Sequence, residues 1–133
     1  MKQLILLTCF FISISGFSCK ETIVQNQVSV VTPKQANKVL QDKTIQIIDV
    51  RTPQEFAEGH IKNAKNIDFM ASSSFTTNIN TLDKEKPILV YCRSGKRSNE
   101  SVKTLLKVGF TKIYDLEGGI LNWKTKSLPI VID

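Results

Sequence analysis

The sequence predicts an α/β domain: a parallel sheet of about five strands with helices on both faces. Two observations carry that expectation. Short apolar runs, among them residues 45–50 (IQIIDV) and 88–91 (ILVY), alternate along the chain with stretches whose apolar residues recur at helical spacing. The first of these runs is apolar almost without interruption rather than at every second position, the pattern of a strand covered on both faces.

Taken in order, residues 28–31 form a short strand, and Thr32 with Pro33 supplies an N-cap and first-turn signal for a helix carrying Ala36, Val39 and Leu40. Residues 45–50 are a central strand, 53–58 a short helix stopped by Gly59, and 64–67 a further strand. Residues 70–82 are rich in Ser, Thr and Asn and are expected to be loop, with any helix confined to about 78–82. The strand at 88–91 leads through a cationic turn into a helix on which Val102, Leu105, Leu106 and Phe110 share a face, with Gly109 as its C-cap candidate. Residues 112–115 are the last strand and 118–124 the last helix, carrying Ile120, Leu121 and Trp123. The chain has no internal repeat and no low-complexity segment.

A length of 133 residues with 41% apolar content suits one domain and a leader. The net charge of +6 is spread along the chain, without the basic block or aromatic interleaving that tracks a nucleic-acid backbone. Nucleic acid is therefore not an expected partner. Residues 1–19 place one early cation, Lys2, before an apolar run at 4–14 and small residues ahead of Cys19, the layout of a secretory leader. The run is shorter than the roughly 20 residues that span a bilayer. We expect a lipoprotein-type signal peptide at 1–18, a lipidated tether at 19–27 beginning with Cys19, and the folded domain at 28–133. That organisation places the protein in the cell envelope, in the periplasm or at the outer membrane, with the membrane as partner through a lipid anchor only.

Cys9 then leaves with the leader and Cys19 is used for lipid, so Cys92 is the lone free thiol. No internal disulfide is available, and one histidine with one thiol cannot complete a four-ligand zinc site. An exposed thiol in an oxidising compartment is a hazard unless it is used, which favours a reactive Cys92.

Its surroundings agree. Ligands of parallel sheets bind beyond the carboxyl ends of the strands, and Cys92 ends one. Residues 92–98 read CRSGKRS, with Arg93, Lys96 and Arg97 as fixed cations, Gly95 to let the backbone turn, and Ser94 and Ser98 between and after them. Such a turn at a helix start directs unpaired amides and the positive end of the helix dipole at one point. The expected product is an anion cup with a sulfur at its floor. A packed, inert cysteine would not need three cations in the next five residues, which are costly to bury. Asp49 lies near the end of its own strand, which puts its carboxylate and the Arg51 guanidinium near the same rim, and two readings stay open for them: support of the site, with Asp49 bonding to loop groups or pairing with a cation, or a strand-end turn with an internal ion pair.

The run CRSGKRS resembles the active loop of the rhodanese family of sulfurtransferases. Residues 49–67, DVRTPQEFAEGHIKNAKNI, resemble that family's first signature, and residues 115–123, DLEGGILNW, its closing one. The resemblance implies a rhodanese-like fold and transfer of sulfane sulfur through a persulfide on Cys92. It implies that Arg93, Ser94, Gly95, Lys96, Arg97 and Ser98 bind the donor, with Arg97 closing the loop, and it implies neither a metal nor a dissociable cofactor. The expected partners are a small anionic sulfur donor, whether thiosulfate, polysulfide or a persulfide, and a thiol or protein sulfur acceptor. His60 and Glu55 belong to the first signature, and His60 is expected to bond to backbone and fix its turn rather than serve as a base. Two alternatives accompany this reading. One is a non-catalytic binding or sensing module of the same fold. The other is a related phosphatase or arsenate reductase, whose loop has five residues between Cys and Arg where Cys92 and Arg97 enclose four.

Overall fold

A computed structural model describes residues 25–132. The expected signal peptide and Cys19 lie outside the described residues. Within them, five parallel strands form one sheet in the order β1-β5-β4-β2-β3. The strands are β1 (Gln27–Val31), β2 (Gln46–Asp49), β3 (Lys65–Asn66), β4 (Ile88–Tyr91) and β5 (Lys112–Leu116). The helices are α1 (Pro33–Val39), α2 (Pro53–Ala57), α3 (Ser72–Ile79), α4 (Lys96–Lys107) and α5 (Gly119–Thr125).

Alternation along the central strands feeds two cores. Ile48, Val90 and Ile113 point to one face, where they pack with Phe75 and Ile79 of α3 and Val102 and Leu105 of α4. Leu89, Tyr91 and Leu116 point to the other, against Ala36 of α1 and Ile120 and Trp123 of α5. All four residues of β4 are buried. The strand that ends in Cys92 is thus held from both sides, which fixes where the sulfur emerges.

Local chemistry sets several boundaries. Thr32 and Thr52 each close a capping box, with Gln35 and Glu55 respectively, and Pro33 and Pro53 follow at the first helical position. Helix α4 ends in a Schellman motif. Gly109 at φ 106° carries the left-handed residue, and the Phe110 amide donates to the Leu105 carbonyl at 3.1 Å. Gly109 therefore follows the cap Val108, and Phe110 lies beyond the helix rather than on its face.

Most of the segment expected to be loop is a helix, α3, two turns long, which shares only residues 78 and 79 with the place where a helix was expected. No side chain caps its start, and its Ser, Thr and Asn content gives little intrinsic helicity. Phe75 and Ile79, four residues apart, are both buried against the sheet, so tertiary burial outweighs local propensity. Strand β3 is shorter than expected because only Lys65 and Asn66 pair with β2. An isolated antiparallel bridge between His60 and Val131 ties down the C-terminal tail.

Candidate active site

Cys92 follows β4 directly, and the next three residues carry the chain to α4. Gly95, at φ 102°, turns it into the helix. The Gly95 amide donates to Cys92 Sγ at 3.1 Å, so the sulfur points into the turn. Two carbonyls of the turn are drawn the opposite way: Ile120 N–H donates to Cys92 O at 2.9 Å and Leu121 N–H to Arg93 O at 3.1 Å. Both donors belong to the first turn of α5, whose amides have no intrahelical acceptor. With those carbonyls held toward α5, the trans amides of Arg93 and Ser94 face away from α5, and the Gly95 amide is the one that bonds the sulfur.

That contact sets the requirement at Gly119. A Cβ there would lie 2.4 Å from Cys92 O and 2.6 Å from Arg93 C and O, all backbone atoms, and the residue has φ 59°. The second glycine of the closing signature is therefore the surface on which the loop rests.

Cys92 is 1% exposed, not the open thiol anticipated in the sequence. Its inner side packs with the β-sheet and α4 core. The residues after it, Arg93, Ser94 and Lys96, are exposed and surround the mouth of the loop. Arg97 is placed differently. Its Nη1 and Nη2 each donate to a Glu55 carboxylate oxygen at 2.7 Å, forming a bidentate pair. This contact, across 42 residues of sequence, joins α4 to α2 and takes both ends of the guanidinium away from a donor anion. The hydrogen bond from Arg97 holds the Glu55 carboxyl at about 2, well below the usual carboxylate range. The same bond raises the Arg97 pKa. Glu55 is the partner that the sequence reading did not name, although the capping box exposes its function: the carboxylate that caps α2 also receives Arg97. Ser98 is fully buried and donates its hydroxyl to Gly95 O at 3.1 Å, bracing the turn from beneath rather than facing the cup.

Asp49 and Arg51 bind each other. Arg51 Nε and Nη2 reach the Asp49 carboxylate at 2.6–3.0 Å, and the Arg51 amide donates to it at 3.0 Å. Burial opposes the charge on Arg51, but the hydrogen bond and charge of Asp49 outweigh it and raise its pKa. Arg51 also donates to Gly59 O at 2.8 Å, and Asn66 bonds the carbonyls of both residues 49 and 51. The geometry at the strand end is an internal ion pair, the cation pairing that both sequence readings allowed for Asp49. It fixes the α2 segment that presents Glu55. His60 Nδ1 donates to Phe56 O at 3.1 Å and its ring stacks on Phe56 with centroids 3.7 Å apart. Tyr91 accepts the Ile61 amide at 3.0 Å, and burial pushes its phenol pKa up. Among the described residues, no group of His, Cys, Asp or Glu is placed to hold a metal ion.

The fold and site define a class of protein: a five-stranded parallel α/β domain with a cysteine at the start of the turn between β4 and α4 and exposed cations beside it. Residues 32–126 match the rhodanese-like domain, and the chain belongs to that family. Among curated proteins it is similar to the thiosulfate sulfurtransferase GlpE of Pseudomonas aeruginosa, with 33% identity over 95 residues, 71% of this chain and 83% of that protein. It is also similar to a tRNA uridine(34) hydroxylase of Pelagibacter ubique, 38% identical over 93 residues and 70% of this chain. This chain spans only 31% of that hydroxylase. Among solved structures, the polysulfide-sulfur transferase of Wolinella succinogenes superposes with a TM-score of 0.66 at 33% identity over 80% of each chain. The chain is thus a rhodanese-like domain with sulfurtransferases among its homologues.

Proposed function

We propose that the protein is a sulfurtransferase that carries sulfane sulfur as a persulfide on Cys92. The single observation that supports this most is the Gly95 N–H to Sγ contact in a turn whose carbonyls are held toward α5. A sulfur so placed is solvated by fixed dipoles when it is anionic. In the first half-reaction the Cys92 thiolate attacks the outer sulfur of thiosulfate. A bond forms between Sγ and that sulfur, the sulfur–sulfur bond of thiosulfate breaks, and its electron pair leaves on sulfite. The terminal persulfide sulfur keeps a negative charge inside the loop. In the second half-reaction a thiolate or cyanide attacks that sulfur and Cys92 departs as thiolate. Arg93 and Lys96, exposed at the mouth, draw in the anionic donor, while the Arg97–Glu55 pair holds the loop closed around it.

Similarity to GlpE and to the Wolinella transferase supports the reaction class, and thiosulfate or polysulfide is the donor we assign on chemical grounds. We further propose that the protein is exported and lipidated at Cys19, from the leader-like layout of residues 1–19. The test is incubation of the purified protein with thiosulfate followed by intact mass. We expect a gain of one sulfur atom on the wild type and none on Cys92→Ser. No gain with thiosulfate, polysulfide or an organic persulfide would reject transfer in favour of a binding module.

A further inference from the structure

Asp115 is a buried acid that the proposed chemistry leaves without a task. It lies in β5, in register with Val90 of β4 and Val30 of β1. Strand alternation puts it on the face of Ile113, which packs with Cys92, Val102 and Leu105 beneath α4. The residue is 4% exposed, and its Oδ1 is sealed from solvent with no hydrogen-bond partner. Asp49, equally buried, has its carboxylate fully engaged by Arg51. An unpartnered buried oxygen bears its full desolvation cost, so it calls for an explanation.

The polar groups beside Asp115 are Ser98 and Asn99 of the first turns of α4. Burial raises its pKa, and the two α4 residues only partly offset this. Its sheet neighbours Val30 and Val90 are apolar, and no cation pairs with it among the described residues. The Ser98 hydroxyl has one hydrogen, and that hydrogen goes to Gly95 O at 3.1 Å. Gly95 in turn gives its amide to Cys92 Sγ at 3.1 Å. A chain of contacts therefore runs from Asp115 through Ser98 and Gly95 to the sulfur. Cys92 stands two residues beyond Val90, so strand spacing and rise place it about 8 Å from Asp115 between α-carbons.

We propose that Asp115 is a positioning residue of the cup: while neutral it leaves the Ser98 hydroxyl to brace Gly95, and when ionised it draws that hydrogen to its own carboxylate and loosens the sulfur-binding turn. The inference rests on Cys92 being the reacting sulfur. An ionised Asp115 also sets a second negative charge behind the anion in a region that salt screens poorly. Both effects have the same sign, and the cup holds an anion best while Asp115 carries its proton.

The test is the rate of Cys92 alkylation by iodoacetamide, which reads thiolate reactivity directly, between about pH 5 and pH 9. It is run on wild type, Asp115→Asn, Ser98→Ala and the double variant. We expect Asp115→Asn and wild type to react alike at the lowest pH, where Asp115 carries its proton, and the variant to react up to about tenfold faster once Asp115 is ionised but the wild-type thiol is not, judged from a like charge at that separation together with the lost brace. In the Ser98→Ala background the same change should gain measurably less, because the brace is gone and only the through-space charge of Asp115 remains. Superimposable profiles for wild type and Asp115→Asn would overturn the proposal, and so would a gain undiminished by Ser98→Ala. Should Asp115→Asn not fold, the carboxyl carbon resonance of Asp115 in the unsubstituted protein decides: its titration must shift when Cys92 is alkylated, and an unmoved titration rejects the coupling. Alkylation needs no sulfane donor, so failure of sulfur transfer and failure of this inference are separate results.

Discussion

Replacing Gly119 with Ala tests the idea that α5 shapes the cup. The added Cβ would meet Cys92 O at 2.4 Å and Arg93 C and O at 2.6 Å. Ordinary contacts of this kind are near 3.4 Å, so the loop or the helix must retreat by about 1 Å, and no side chain can rotate to absorb it. A non-glycine residue at φ 59° adds about 1 kcal/mol. Retreat stretches the hydrogen bonds from Ile120 and Leu121 to the loop carbonyls, each worth about 1 kcal/mol. The sum is a loss of about 3 kcal/mol, or a Tm lower by about 12–20 °C for a domain of this size. Misplacement by about 1 Å of groups that stabilise a transition state should cost about a hundredfold in sulfite release at a temperature where the variant is folded. Gly95→Ala is the contrast. Its Cβ would find Gly118 N at 3.5 Å, an ordinary contact, so only the backbone angle of φ 102° opposes it. Thermal melts and sulfite release on both variants check the reasoning. A Gly119→Ala protein that melts within about 2 °C of wild type and turns over normally would refute it, because an effect of about 3 kcal/mol cannot hide in that interval.

Other perturbations follow from the same contacts. Glu55 is held at about 2 by Arg97, so its stabilisation is fully present above its unfolded pKa of about 4.5 and is lost as pH falls through about 2. Urea denaturation should therefore show Glu55→Gln less stable by about 1 kcal/mol at neutral pH, the pair being partly exposed, with the gap to wild type closing between about pH 4.5 and 2. Asp49→Ala strands Arg51 in the interior and should cost about 3–5 kcal/mol, while Asp49→Ala combined with Arg51→Met should recover much of it; equal stability of the single and double variants in urea would contradict the ion-pair account. Arg93→Ala and Lys96→Ala, at exposed positions, should raise KM for thiosulfate severalfold with little change in Tm, and the wild-type advantage should shrink as salt is added.

Much of the fold was legible because its code is local. The apolar runs at 45–50 and 88–91, the Thr32–Pro33 start, and the periodicity of Val102 and Leu105 each report burial or capping within a few residues. The position of Cys92 between a buried strand and a helix start was legible for the same reason. Helix α3 was not, since its Ser, Thr and Asn residues carry a weak local signal and only the docking of Phe75 and Ile79 makes the helix form.

By itself the sequence determined an alternating α/β chain, the three motifs with their order, and a lone sulfur beside cations at a strand end. Tertiary structure alone decided which of those cations is paired within the described residues. Strand order sets β4 between β2 and β5, so the loop after Cys92 meets Glu55 from one neighbouring connection and the Gly119 turn from the other. Arg97 is neutralised by a partner 42 residues away, while Asp49 and Arg51 satisfy each other two residues apart. Charge pairing depends on distance in space, and a linear pattern of residue types does not carry that distance.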